Sequence, residues 1–533
     1  MSAPAKVVDL AILNATVVDG TGAPAAVTDV TADRGRIDRV GPFRGRARKT
    51  VDAYGRVLIP GFVDLHGHSD YSLLVDPLAR SKVCQGVTTE VGGNCGYHAA
   101  PVFGQIAADR RDEYARTVGL EVSWATSAEY RARLREARPA INYAQQIGYN
   151  TLRSAVTAEH ARPLSGAERQ RLRDLVRGEL SEGAVGLSYG LAYAPACFSR
   201  TEELVDVAEE VAARGAFISF HLRNEDATLI ESLEEAVHIG RASGAATHVG
   251  HLKTFRRPNW HKIDRALSIL DQARRGGLDL TVDRYPHLAM NTQLKFILPT
   301  WALEGGVQAT RQRLGDPQVR ARIAAELADT VAGEVREVLI SLVGLPEHKA
   351  FEGQFLDELA RGRDVWAMVM DLLALEGDAA FATFFGMSRE NLDRILQLDY
   401  AVVASDASVQ PVHRQAGGGR PHPRCFDTFP FFLADWVYAR RVLSLEEAVR
   451  KVTSMPAARA GLKDRGRIQE GLAADLVLLD PEALEARVSY EEPLRYPPGV
   501  DLVVVNGEVA VVGGRHTGAR AGRLLGPAGE LTA

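Results

Sequence analysis

Eight short apolar runs, separated by amphipathic segments across residues 61–455, predict an α/β fold, a (β/α)8 TIM-like barrel. β-rich stretches without helical period at both chain ends predict a small β-sandwich built from residues 1–60 and 456–533. Residues 301–390 break the alternation and read as an insertion between the seventh and eighth strands, either a lid over the barrel mouth or an extended loop.

In chain order, strands are expected at Val8 to Val18, Val27 to Ala32, Arg36 to Val40 and Ala53 to Leu58, punctuated by Asp33-Arg34-Gly35 and other glycine turns. The barrel strands then follow: Phe62–His66, Thr88–Val91, Asn142–Ile147, Ala184–Leu187, Ala216–Phe220, Thr247–Gly250, Leu278–Asp283 and Tyr400–Ala404. Ser199 to Gly215 illustrates the intervening helices: Ser199 stands three before Glu202, as in a capping box, and Leu204, Val207, Ala208 and Val211 recur at helical spacing. An open doubly wound sheet is the alternative, but no glycine-rich dinucleotide fingerprint follows an early strand. Within the insertion, Val335 to Val343 reads as a strand and Phe355 to Leu375 as mostly helical. Ser444-Leu445-Glu446-Glu447 opens a capped helix, after which strands return at Ala474 to Leu479, Asp501 to Val505 and Val509 to Val512, the last two joined by the hairpin signal Asn506-Gly507. Gly417-Gly418-Gly419 reads as a flexible loop.

Composition narrows the function. A net charge of −5 over 533 residues argues against nucleic-acid binding, and no apolar run is long enough to span a bilayer. The four cysteines, Cys84, Cys95, Cys197 and Cys425, are too few and scattered for a disulfide framework. With no signal-peptide layout at the start, a reducing cytoplasm is the expected location.

Chemistry is expected where barrel strands end. His66 and His68 flank Gly67 and, two apart on an extended chain, point to one face as a preformed half-site for a metal. His221 and His251 end two further strands. His248, an odd number of residues from His251, is expected to face the surrounding helices. Cys95, inside Gly92-Gly93-Asn94-Cys95-Gly96, is a small core residue when taken alone. With four histidines converging it reads as a thiolate ligand able to bridge two ions. Asp406 after the eighth strand reads as ligand or general base, with a helix cap as the alternative.

The succession Gly61-Phe62-Val63-Asp64-Leu65-His66-Gly67-His68, Gly93-Asn94-Cys95-Gly96, His221-Leu222-Arg223-Asn224-Glu225, Gly250-His251-Leu252-Lys253 and Ser405-Asp406 resembles the amidohydrolase superfamily, and within it the D-aminoacylases (N-acyl-D-amino-acid deacylases). Supporting stretches include Asp283-Arg284-Tyr285-Pro286 and His422-Pro423-Arg424, and the likeness runs nearly end to end. The resemblance implies a zinc enzyme with one or two ions: Cys95, His221 and His251 hold one, while His66, His68 and Asp406 form a second position bridged by Cys95. Asp406 is the implied catalytic base. Superfamily relatives that bridge two metals with a carboxylated lysine carry it after the fourth strand, where this chain has Ser188-Tyr189-Gly190. The family further implies that Lys253, Tyr285 and Arg424 bind a substrate carboxylate. Tyr193 is a candidate for the pocket wall, and Arg223 and Glu225 for orienting His221, an exposed ion pair being the alternative for these two. Three segments depart from the family pattern: Gly148-Tyr149-Asn150, His287 to Thr292, and the longer loop Ala407 to Gly419.

The expected activity is hydrolysis of a linear N-acyl-amino acid of D configuration, a small molecule. The rival readings are the same centre acting on a cyclic amide or another C–N bond, and a non-catalytic scaffold. The sequence leaves the oligomeric state open.

Overall fold

The computed structural model describes residues 6–104, 107–157, 161–331, 335–410, 419–487 and 489–531. The two chain ends hydrogen-bond into one nine-stranded sheet. Its seam is the antiparallel pairing of Val57–Pro60 with Leu476–Leu479, in register Leu476↔Pro60 and Val477↔Ile59. Alternation divides the faces: Leu476, Leu478, Leu502 and Val504 pack with Leu10 and Ile12, while Val477, Leu479, Val503 and Val505 pack against barrel residues such as Phe62, Val87 and Trp436. The hairpin at Asn506-Gly507 forms as expected, with φ of 47° and 82° at the two turn residues. Among its strands, Arg46–Asp52 was not anticipated. It pairs parallel with Val7–Val17, and its charged sequence RARKTVD, mostly exposed, carries no apolar run to read.

The barrel strands, labelled in chain order, are β1 Phe62–Asp64, β2 Val87–Gly92, β3 Asn142–Gly148, β4 Gly186–Gly190, β5 Phe217–His221, β6 Ala246–Val249, β7 Leu280–Arg284 and β8 Ala401–Val403. Each pairs parallel with the next from β1 to β8. The ring closes differently: between β8 and β1 the described backbone makes one bridge, Gly67 to Ala407, just beyond the strand ends. The eight predicted runs thus fold as a nearly closed (β/α)8 barrel. The helix after β4 spans Thr201–Ala212 and buries Leu204, Val207, Ala208 and Val211 as its period required. Its start differs from expectation. Glu203, not Glu202, reaches back to the Arg200 amide, and the Ser199 hydroxyl meets the Tyr149 hydroxyl at 3.0 Å instead.

The insertion between β7 and β8 begins at Ala289, earlier than residue 301, and contains its own antiparallel sheet, with Phe381–Phe385 between Ala289–Gln293 and Val338–Leu342. A separate apolar cluster, including Leu294, Ile340, Leu356, Val369 and Phe384, gives it a core of its own. The chain end returns to the barrel: Leu524–Gly526 pairs parallel with Tyr143 and Ala144 of β3 and antiparallel with Gly529–Glu530. The predicted Gly417-Gly418-Gly419 loop lies mostly outside the described residues. Among the described residues no helix is long and apolar enough to cross a membrane.

Candidate metal centre

The C-terminal ends of β1, β2, β5, β6 and β8 bring His66, His68, Cys95, His221, His251 and Asp406 into one cluster, buried except for the half-buried His68. Ligand atoms of His66, Cys95, His251 and Asp406 all lie within 4.8 Å of one another. The Cys95 thiol is central, 3.3 Å from His66 Nε2 and 3.6 Å from His251 Nε2. His221 Nδ1 lies 2.8 Å from His251 Nε2. Asp406 Oδ1 is 3.0 Å from His68 Nε2 and 3.5 Å from His66 Nε2.

Local backbone explains how the sequence achieves this. Gly67 is required by a close approach: a Cβ there would meet the Glu90 carboxyl carbon at 2.2 Å. Cys95, His251 and Asp406 all adopt positive φ, at 51°, 33° and 50°. Such conformations are uncommon for residues with a side chain and concentrate at functional sites. The chain turns sharply as each strand ends, swinging thiol, imidazole and carboxylate over the barrel mouth.

The turn at Gly250-His251 corrects the expectation for His248. It faces inward, Nε2 being 2.8 Å from Asp283 Oδ2 and Nδ1 2.8 Å from the Thr281 hydroxyl. Asp283 also meets His66 Nδ1 at 2.8 Å and accepts the His251 amide at 2.7 Å. Asp283 is the site residue that sequence reasoning passed over. Its signal was available: two residues from Tyr285 on an extended chain, it shares that residue's face. Fixing Nδ1 of His66 leaves Nε2 to face Cys95, the carboxylate–histidine arrangement usual behind metal ligands.

The donor set suits a zinc ion. Around tetrahedral zinc, sulfur and nitrogen ligands stand roughly 3.6 Å apart, close to the two Cys95–histidine separations. Burial alone would raise the Cys95 thiol, yet the flanking His66 and His221 imidazoles hold it well below the usual thiol range. Burial likewise opposes charge on Asp406, but Arg424 and His66 keep its carboxyl well below the usual carboxylate range. Burial and the neighbouring His251 lower His221, which favours its neutral form. A thiolate and a carboxylate are forms that bind zinc. Of the four imidazoles only His221 is shifted toward neutral. Burial opposes charge on His66, His68 and His251 too, but neighbouring carboxylates and the Cys95 thiolate raise all three. His221 Nε2 and Glu225 Oε2 are buried without hydrogen-bond partners among the described residues.

Around this core, Arg424 Nη1 donates to Asp406 Oδ2 at 2.8 Å and Nη2 to the Asn291 carbonyl at 3.2 Å. Its guanidinium carbon sits 4.7 Å from the centre of the Tyr285 ring, and Arg284 approaches the same ring at 3.9 Å. The Tyr285 hydroxyl is buried with no partner among the described residues. The Tyr193 ring lies tilted against that of His221, centres 4.6 Å apart, and its hydroxyl meets the Thr292 hydroxyl of the insertion at 3.2 Å. Lys253 is buried and already engaged, donating to Glu225 and to the His251 carbonyl. Glu225 meets His251 Nδ1 at 2.9 Å and lies 3.9 Å from His221 Nε2, so it does face the imidazoles. Arg223 instead forms a two-pronged pair with Glu235, both contacts at 2.9 Å, the ion-pair alternative to orienting His221.

Comparison with known proteins gives the family. The profile of the Amidohydrolase family matches residues 49–251 and 412–511. D-aminoacylase of Alcaligenes xylosoxydans xylosoxydans is 32% identical over 97% of both chains. N-acyl-D-glutamate deacylase of the same organism is 32% identical, over 97% of this chain and 96% of its own. The crystal structure of N-acyl-D-glutamate deacylase from Bordetella bronchiseptica, complexed with zinc and a phosphonate inhibitor, superposes with a TM-score of 0.82 at 31% identity, covering 97% of this chain and 99% of that one. Similarity of this extent over nearly the whole length places the chain in the amidohydrolase family, among the D-aminoacylases.

Proposed function

We propose that this amidohydrolase removes the acyl group from N-acyl-D-amino acids, with a zinc centre held by Cys95, His221 and His251, joined by His66, His68 and Asp406. The observation that carries the reading is the position of Cys95 between His66 and His251, at 3.3 and 3.6 Å, with Arg424 and the Tyr285 hydroxyl, unpartnered among the described residues, beside the same cluster.

Zinc supplies, when bound, a water acidified to a pKa of about 7 and a Lewis acid for the amide carbonyl. Asp406 accepts the proton of the attacking water and returns it to the departing amine nitrogen. Arg424 offers a guanidinium fork and Tyr285 a hydroxyl donor to the substrate carboxylate. Lys253 acts through Glu225 and His251, adding positive charge behind the ligands. Asp283 fixes the tautomer of His66, and Tyr193 bounds the pocket next to His221.

The test is direct. Purified protein is expected to hold zinc and to release the free amino acid from N-acetyl-D-amino acids, with little turnover of L enantiomers or hydantoins. Zinc-loaded protein that opens only ring amides would overturn the linear-amide reading.

A further inference from the structure

Among the described residues the barrel's strand ladder is interrupted where its site is assembled. His66 and His68 follow β1 and Asp406 follows β8, yet β8 and β1 share a single backbone bridge among the described residues. A ladder of hydrogen bonds sets strand separation elsewhere in the barrel. Here a buried side-chain network fills that place.

We infer that Lys82 is a positioning residue of the hydrolytic site, closing the β8–β1 seam and thereby setting Asp406 against the His66–His68 pair. This rests on the amide-hydrolase reading above. Lys82 has no exposed surface. Its ammonium donates to Asp64 Oδ2 at 2.6 Å, to the Ser405 hydroxyl at 2.8 Å and to the Ala407 carbonyl at 2.9 Å, and lies 3.1 Å from Glu90 Oε2. Two of these partners, Ser405 and Ala407, flank Asp406 on either side. The other two reach the opposite side of the seam. Asp64 belongs to β1 and accepts the Ser405 amide at 2.9 Å. Glu90 belongs to β2, packs directly under Gly67 and accepts the Ser69 amide at 2.9 Å and hydroxyl at 2.8 Å. The Ala407 carbonyl also takes the His68 amide at 3.0 Å. One cation therefore grips the residues before and after Asp406 and ties them to the strand carrying both imidazoles. Among the described residues Asp406, at a φ of 50°, has no regular strand partner to hold that turn.

Lys82→Met keeps an unbranched side chain one atom shorter and removes the grip. Supports for metal ligands are worth about 10–100-fold in affinity or activity. The expected result is a folded protein whose kcat on an N-acetyl-D-amino acid falls by about 10–100-fold. KM should stay near the wild-type value, because Tyr285 and Arg424 are not partners of Lys82, and zinc should be lost faster to a competing chelator. A folded variant with wild-type kcat and zinc retention would overturn the inference, as would a rise in KM matching the fall in kcat. If Lys82→Met does not fold, Ser405→Ala removes one arm of the grip without stranding a charge. It is expected to lower kcat at unchanged KM, and wild-type kcat there overturns the inference too. Wild-type protein that holds zinc but leaves N-acetyl-amino acids intact sinks the functional reading alone. Lys82 is then judged on zinc retention.

Discussion

Replacing Asp406 by Asn preserves the side chain's shape and removes its capacity to take a proton. With His68 at 3.0 Å and Arg424 at 2.8 Å still placed to contact it, Asp406→Asn is expected to bind substrate and lose about 10²–10⁴-fold in kcat, measured by steady-state hydrolysis. Asp283→Asn tests a different residue. It leaves the proposed ligands in place and disturbs the tautomer of His66, so zinc affinity should fall by about 10–100-fold in a chelator competition. Arg424→Lys replaces a fork by a point charge and is expected to raise KM more than it lowers kcat. The ligand types at strand ends were legible because imidazole, thiol and carboxylate recur where barrel strands finish. The position of His248 was not, since counting by twos holds only along an extended chain and fails through the Gly250-His251 turn, where φ at His251 is 33°. The true partner of Arg223 was equally hidden, as Glu235 lies on a following helix, Leu229–Ser243, whose rotation the sequence does not state.

Helices around the barrel carry their own titration. Glu179, near the end of the helix Gly166–Ser181, accepts the hydroxyl of Ser127 at 2.7 Å, at the start of the helix Ser127–Ala137. Burial pushes its carboxyl up to about 7, against the Ser127 hydrogen bond and the Arg131 charge. A carboxyl whose pKa is higher folded than unfolded binds more protons in the native state. Its contribution is therefore fully present below about pH 4.5 and is lost as pH rises through about 7. Glu179→Gln removes this slope: its melting temperature should match the wild type near pH 5 and exceed it near pH 8, which parallel thermal melts would check. Element by element, the barrel strands were legible because buried parallel strands read as apolar runs. Arg46–Asp52 was not, because an exposed, charged strand owes its pairing to the long neighbour Val7–Val17 and not to its own pattern. Leu524–Gly526 is three residues long, too short for any period.

At the scale of the whole molecule, that short strand matters because it links the chain end to β3. Leu525 is 1% exposed and packs with Val63, Val91 and Ala144 of the barrel. Leu525→Ala is expected to cost about 2–5 kcal/mol of stability in denaturant unfolding. The insertion, in contrast, has its own core and reaches the site through a few contacts, among them Thr292 with Tyr193 and Asn291 with Arg424. Its existence was legible as a break in the strand–helix alternation. Its contacts with the site were not, since they depend on where an antiparallel sheet of distant segments comes to rest.

The pairing of Val57–Pro60 with Leu476–Leu479 has a consequence for biosynthesis. At about 5–20 residues per second, a ribosome needs roughly 20–80 s to deliver the second strand after the first has emerged. Through that interval the early strands can pair with one another, but Val57–Pro60 lacks its C-terminal neighbour and the apolar surface that Leu476–Leu479 will cover stays open to chaperones and to neighbouring nascent chains. Yield in a cell should therefore depend on what shelters the first sixty residues while the barrel is still being made.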